Sequence, residues 1–167
     1  MPLKIIRNDI TKVAADAIVN TANPRPRIGA GTDHAIHEAA GPELFEARKA
    51  IGDIAPGESV ETPAFGLPAK YVLHTVSPAW IDGRHREEEE LREAYDAALN
   101  LAHELKCRSV AFPLRLYPSA TASTYSPVPP TRKGTRPRAM IPSIASLERR
   151  WKSAMEKNSP GRTTFSR

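Results

Sequence analysis

The stretch Asp16-Ala17-Ile18-Val19-Asn20-Thr21-Ala22-Asn23 is followed, across a proline-bounded link, by Gly29-Ala30-Gly31-Thr32-Asp33-His34-Ala35-Ile36-His37-Glu38-Ala39-Ala40. Ala17, Ile18 and Val19 stand consecutively, as in a strand buried on both faces. Thr32 and Asp33 then precede a helix in which Ala35, Ile36, Ala39 and Ala40 form an apolar stripe. Strand, polar turn, small-residue loop and helix, in that order, are the working unit of a layered α/β domain with a mainly parallel or mixed sheet. The strand is read over residues 16–20, and two amides, Asn20 and Asn23, stand at its end, where sheets of this class face a ligand crevice. Small residues just before a helix let backbone N–H groups approach a phosphate, and the helix terminus adds favourable partial charge. An anionic ligand is the expectation.

The flanking sequence extends the same grammar. Residues 3–7 are a short β-rich run. Gly41-Pro42 ends the first helix and starts a second, with Leu44, Phe45 and Ala47 inward and Gly52 as its stop. Residues 71–76 form the clearest strand, between Pro68 and Pro78, and His74 reads as one of its ordinary members. A long helix is expected over residues 86–106, because Leu91, Ala94, Tyr95, Ala98, Leu99, Ala102 and Leu105 recur at helical spacing. Glu87 to Glu90 occupy its first turn, where the dipole favours negative charge. Residues 109–114 read as a further buried strand.

Of 167 residues, 24 are Lys or Arg and 19 are Asp or Glu, a net of +5. The excess is one-sided: residues 1–114 hold 13 basic and 17 acidic side chains, net −4, and residues 115–167 hold 11 and 2, net +9. The expected division is a domain over 1–114 and a basic Pro/Ser/Thr/Arg-rich tail over 115–167, whose composition buries too little apolar surface to offset ordering. A helix over 143–157, with Ile144, Leu147, Trp151, Ala154 and Met155 on one face, is the exception. The tail's charge permits nucleic-acid binding, but no motif supports it.

Cys107 is the single cysteine, which excludes an intramolecular disulfide and suits a reducing compartment. No apolar run approaches about 18 residues and no secretory signal opens the chain, so a cytoplasmic protein with no membrane partner is expected. Cys107, between a helix and a buried strand, reads as a core thiol. Asp82, His85 and Glu87 to Glu90 match no familiar metal spacing, and no metal or other cofactor is implied.

The common phosphate loops do not fit. The Gly-Lys-Ser/Thr ending of a nucleotide triphosphate loop is missing, and Gly29-Ala30-Gly31 lacks the third glycine of a dinucleotide fingerprint. Taken alone, the glycine pair also suits a plain structural turn. Together with Asp9-Ile10-Thr11, His37-Glu38-Ala39-Ala40-Gly41-Pro42 and Lys70-Tyr71-Val72-Leu73-His74-Thr75-Val76, however, the quoted segments resemble the macrodomain family, in its bacterial O-acetyl-ADP-ribose deacetylase branch. The match is collinear over about residues 3–114.

The resemblance implies a three-layer α/β/α macrodomain with a mixed sheet, incomplete at its C-terminal end. It implies a hydrolase ancestry acting on O-acetyl-ADP-ribose or on protein-linked ADP-ribose, with ADP-ribose, a derivative or an ADP-ribosylated protein as partner. Asp9 then matches the acceptor for the adenine amine, with Ile10 beside it, and Ala22 is a further ligand-binding candidate. Gly29, Ala30, Gly31 and Thr32 match the first diphosphate loop, with Ala30 where a glycine is frequent. Asn23 matches the amide at the distal ribose, and Asp33 the carboxylate that positions or activates a water or hydroxyl, the two catalytic candidates. Asp33 also suits an ordinary helix N-cap, and Asp9 a surface turn. Asn20 and His37 are further candidates, Asn20 as a loop brace and His37 one turn beyond Asp33.

The departure comes after residue 114. The family's second loop, of the form Ser/Ala-Thr-Gly-x-Tyr-Gly, has no counterpart: Arg115-Leu116-Tyr117-Pro118-Ser119 follows, with no glycine before Gly134. The family's last strand, which would pair with residues 3–7, is also unrecognisable, leaving that run without a neighbour and Asp9 poorly fixed. Composition and charge change together at that point, which suggests a frameshifted or replaced C-terminus and activity that is weak or lost. The coding DNA read in its other frames past codon 114 is expected to encode a Gly-x-Tyr-Gly segment, and its absence there overturns the frameshift.

Overall fold

The computed structural model describes residues 4–79 and 84–113. After a short 3-10 turn at Ile10–Lys12, the chain runs β1 (Ala15–Thr21), α1 (Thr32–Ala40), α2 (Pro42–Ile51), β2 (Ser59–Pro63), β3 (Ala69–Thr75), α3 (Glu87–Glu104) and β4 (Val110–Ala111). The four strands form one mixed sheet in the order β2-β3-β1-β4. β1 is parallel to both neighbours, with Asn20 opposite His74 and Ala17 opposite Val110. β2 pairs antiparallel with β3, Thr62 opposite Val72.

Side-chain alternation in the strands sorts the core into two faces. Ala17, Val19 and Leu73 point one way and pack on Leu91, Tyr95, Ala98 and Ala102 of α3, with Cys107 beside them. Ile18 and Val72 point the other way, onto Ile36 and Ala40 of α1 and Leu44 of α2. The result is the expected three-layer α/β/α arrangement. Ile18, Ile36, Leu44 and Leu73 are fully buried, and burial of each such side chain contributes about 1.5–3 kcal/mol. Phe112 stacks on Tyr95 at 5.3 Å between ring centroids and ties the end of β4 to α3.

Several expectations are corrected. Residues 4–7 form no strand, and Ile5 and Ile6 are exposed; β-propensity alone supplies no partner for their backbone groups. Asp9 does not depend on that run, because its carboxylate accepts from Thr11 N and Thr11 Oγ1 at 3.0 and 2.8 Å and caps the 3-10 turn. β2 was not expected: Ser59, Glu61 and Pro63 are poor strand formers, and the segment is extended because β3 pairs with it. β4 is two residues rather than six, and Leu114 lies outside the described residues.

The inward face of α1 is Asp33, Ile36, His37 and Ala40, not the alanine stripe, since Ala39 is exposed and Ala35 only half-buried. In α2 the buried pair is Leu44 and Arg48, with Phe45 and Ala47 half-buried. The tail over 115–167, its helix at 143–157 and Asp82 fall outside the described residues. Among those described, no helix is long and apolar enough to cross a membrane.

Candidate functional site

Asn20 is two residues beyond Ile18 in β1 and so faces α1 from the sheet. There its amide meets the first turn of the helix: Asn20 Nδ2 donates to Asp33 Oδ1 at 2.6 Å and lies 3.2 Å from His74 Nδ1. Each hydrogen of that NH2 group has one acceptor. His74 Nδ1 is therefore the unprotonated ring nitrogen, and Nε2 carries the hydrogen that Thr62 Oγ1 accepts at 3.0 Å. His37 Nε2 stands 3.6 Å from Asp33 Oδ1 on the next turn of α1. Asn20, Asp33, His37, Thr62 and His74 are all buried.

Burial pushes the His74 imidazole down to about 3, and the neighbouring His37 imidazole and Arg48 guanidinium oppose a further positive charge beside them. Burial likewise lowers His37, against the opposing pull of Asp33. Both rings are thus held neutral. A histidine and an asparagine inside a sheet face are tolerated here because each finds a partner, although Asn20 Oδ1 and His37 Nδ1 find none among the described residues.

The other oxygen of Asp33 serves the loop. Gly29 N donates to Asp33 Oδ2 at 2.5 Å. Asp33 is therefore no N-cap of its own helix; that position belongs to Gly31, at φ 65°, and among the described residues no side chain caps α1. The first N–H groups of α1 consequently remain available at a terminus with positive partial charge. Asn23 approaches from the other side of Gly29, and its Nδ2 donates to Arg27 O at 3.1 Å. A Cβ at Gly29 would lie 2.8 Å from Asn23 Nδ2 and 3.2 Å from Asp33 Oδ2. Only glycine lets these two groups close on one point.

A hollow of about 320 Å³ opens beside the α1 terminus, lined by Asn8, Asp9, Ile10, Gly31, Thr32, Ala35 and Pro113. The site candidates thus fall into two adjacent groups joined by the glycine loop: Asn23, Gly29 and Asp33, and then Asp9, Ile10, Gly31 and Thr32. Ala30 is exposed on the loop between them. Ala22 is instead buried with Ile54 and Val76. The Thr11 hydroxyl hydrogen bond holds the Asp9 carboxyl below its ordinary value.

A larger hollow, about 720 Å³, lies at the opposite end of β1 and β3. Its polar groups satisfy one another: Lys70 Nζ sits 2.7 Å from Asp16 Oδ1, and Arg108 N and Ser109 N donate to Asp16 Oδ2 at 2.9 and 3.1 Å. It is a brace across β1, β3 and β4. Among the described residues no cluster of His, Cys, Asp and Glu is placed to hold a metal.

His74, Thr62 and Arg48 are the site-supporting residues that sequence reasoning missed. A polar residue on the inward face of a strand, as His74 is beside Val72, is the available signal; Arg48, four residues after Leu44, is its helical equivalent.

The family model for the Macro domain matches residues 19–115. The chain belongs to the Macro domain family. This macrodomain is 51% identical over 115 residues to a Citrobacter rodentium protein named O-acetyl-ADP-ribose deacetylase, a match covering 66% of this chain and 65% of that one. It is 50% identical over 111 residues to a Macro domain-containing protein of Lactiplantibacillus plantarum, covering 66% and 64%. The chain thus spans just under two thirds of these relatives' length. Among solved structures, the Oceanobacillus iheyensis macrodomain with ADP is 39% identical, with a TM-score of 0.61 over 64% of this chain and 60% of that one. The Trypanosoma brucei macrodomain in complex with ADP-ribose is also 39% identical, with a TM-score of 0.58 over 64% and 44%.

Proposed function

We propose that this macrodomain binds ADP-ribose or a derivative of it, free or attached to protein, and that its hydrolytic activity is weak or lost. The convergence of Asn23 and Asp33 on Gly29, next to an uncapped helix N-terminus and the hollow bearing Asp9 and Ile10, carries this reading. Backbone N–H groups of Ala30, Gly31 and Thr32 would receive the diphosphate, the Gly29 N–H being held by Asp33, which explains how a domain with net charge −4 takes an anionic ligand. Asp9 would accept from the adenine amine, and Asn23 would contact the distal ribose.

Asp33 Oδ1 accepts from Asn20 and Oδ2 from Gly29 N, so a water or ribose hydroxyl oriented by this carboxylate would use the second lone pair of Oδ2, the oxygen on the loop side. Hydrolysis of O-acetyl-ADP-ribose or of protein-linked ADP-ribose would use that oxygen together with Asn23. Its weakness follows from residues 115–119, which do not supply the second glycine loop of the family pattern. Calorimetry with ADP-ribose on the full chain tests the binding, and micromolar affinity with little deacetylation is the expected result. Gly29→Val should weaken binding roughly ten- to a hundredfold, because the new side chain enters the space between Asn23 and Asp33. Absence of binding by the unaltered chain overturns the reading, and robust turnover overturns the part concerning activity.

A further inference from the structure

Arg48 is buried, with 3% of its surface exposed, on the inward face of α2. Among the described residues its guanidinium donates to three backbone carbonyls. Nη1 donates to Gly52 O at the C-terminal end of α2, while Nη2 donates to Asn23 O and to Pro24 O, each at 3.1 Å. Taking a guanidinium out of water is costly, and burial lowers its pKa while Asp33 and Asp53 pull it back. Such a group stays buried when its donors are used on a fixed geometry.

That geometry joins two segments. Pro24 has no N–H of its own to donate, and its carbonyl also accepts from Ile54 N at 2.9 Å. The Asn23-Pro24 backbone is therefore held at its carbonyls, from the side of α2, while the Asn23 side chain reaches Arg27 O and Gly29 from the opposite side.

We infer that Arg48 is a positioning residue for ligand binding: its guanidinium clamps the Asn23 and Pro24 carbonyls to the end of α2 and thereby aims the Asn23 amide at the point where Gly29 and Asp33 meet. This rests on the ADP-ribose reading of that point. Lysine does not reproduce the clamp, because a single ammonium cannot span carbonyls of two segments as a planar fork does. Arg48 itself touches no ligand in this scheme; it acts through Asn23.

The test uses the full chain. Arg48→Met and Arg48→Lys should each weaken ADP-ribose binding by about tenfold or more, the effect of a lost charge-assisted hydrogen bond. In an Asn23→Ala background the same changes should add little, because the group being aimed is gone. Leu44→Ala, which removes packing from the same helix, should lower Tm but leave affinity within about twofold. Low-millimolar guanidinium, compared with sodium at equal ionic strength, should restore much of the affinity of Arg48→Ala.

A second readout needs no ligand: the Asn23 side-chain NH2 resonance should shift, and the Ile54 amide should exchange faster, in Arg48→Met than in the unaltered chain. Binding within twofold of normal, equal losses with and without Asn23, or an unmoved Asn23 resonance overturns the proposal. If the unaltered chain binds no ADP-ribose, that reading fails by itself, and the Asn23 resonance and Ile54 exchange decide the role of Arg48. Should Arg48→Met fail to fold, Arg48→Lys and the guanidinium-supplemented Arg48→Ala give the same comparison.

Discussion

Asp33→Ala is expected to lose roughly 3 kcal/mol of stability together with any turnover, because the carboxylate is both the proposed reactive group and the hub of a buried polar chain. Its Oδ1 accepts from Asn20 Nδ2 and its Oδ2 from Gly29 N. Alanine removes the acceptor of the half-buried Gly29 N–H and of one Asn20 hydrogen, the other still facing His74 Nδ1, at about 1–3 kcal/mol for a buried group left unpaired. That is a large share of the roughly 5–15 kcal/mol that holds a domain folded. Asp33→Asn is no milder remedy: whichever way its amide turns, the NH2 faces one of the two donors.

Asn23→Ala is the useful contrast. Asn23 is half-buried, and its Nδ2 makes one hydrogen bond, to Arg27 O; its loss should cost under about 1 kcal/mol while still weakening ADP-ribose binding. Urea unfolding of the three variants, with calorimetry on each, checks the pattern. An Asp33→Ala chain as stable as the parent would show that the Asn20 and Gly29 donors find other partners, and the buried chain would lose its meaning.

Asp33 also marks how far the sequence could be read. Its type and its place at the start of a helix were legible, but its direction was not. Hydropathy counts apolar residues, so Ala35 and Ala39 look inward and Asp33 and His37 outward; the reverse holds because Asn20 faces them from β1. That is a tertiary fact, visible only once β1 is set beside β3 with Asn20 opposite His74. Arg48 was hidden for the same reason, since a cation is counted as solvent-facing until the carbonyls that hold it are known.

Strands show the complementary limit. β1 and β3 carry their own apolar runs and were placed within two residues of their ends. β2 exists through its partner, with Val60 as its only large apolar residue, and residues 4–7 have the propensity but, among the described residues, no strand beside them. The small-residue loop before α1 was legible as a turn leading into a helix. The hollow against Asp9 and Ile10 was not, because it depends on the 3-10 turn folding back against α1.

Acidification should destabilise the chain from about pH 6.5 downward through His74. The folded imidazole sits at about 3 against an ordinary 6.5, lowered first by burial and then by His37 and Arg48. The neutral ring is also the form the structure requires: Nδ1 must accept from Asn20, and Nε2–H must donate to Thr62. Above pH 6.5 neither the folded nor the unfolded chain protonates this ring, and its contribution is whole. Below 6.5 the unfolded chain binds a proton that the folded chain refuses, so stability falls by up to about 1.4 kcal/mol per pH unit until the pH nears 3. Full burial of His74 removes the solvent screening that would shrink this slope. His37 acts in the same direction, though Asp33 beside it opposes the shift. Between pH 6.5 and 5, before most carboxylates protonate, His74 alone should remove about 1.6 kcal/mol. Urea midpoints across that interval measure it, with His74→Gln as the comparison, because a glutamine keeps polarity without titrating. The variant should start less stable and then stay nearly flat with pH. An unchanged slope in His74→Gln would assign the acid sensitivity to another group and leave the neutral His74 without thermodynamic consequence.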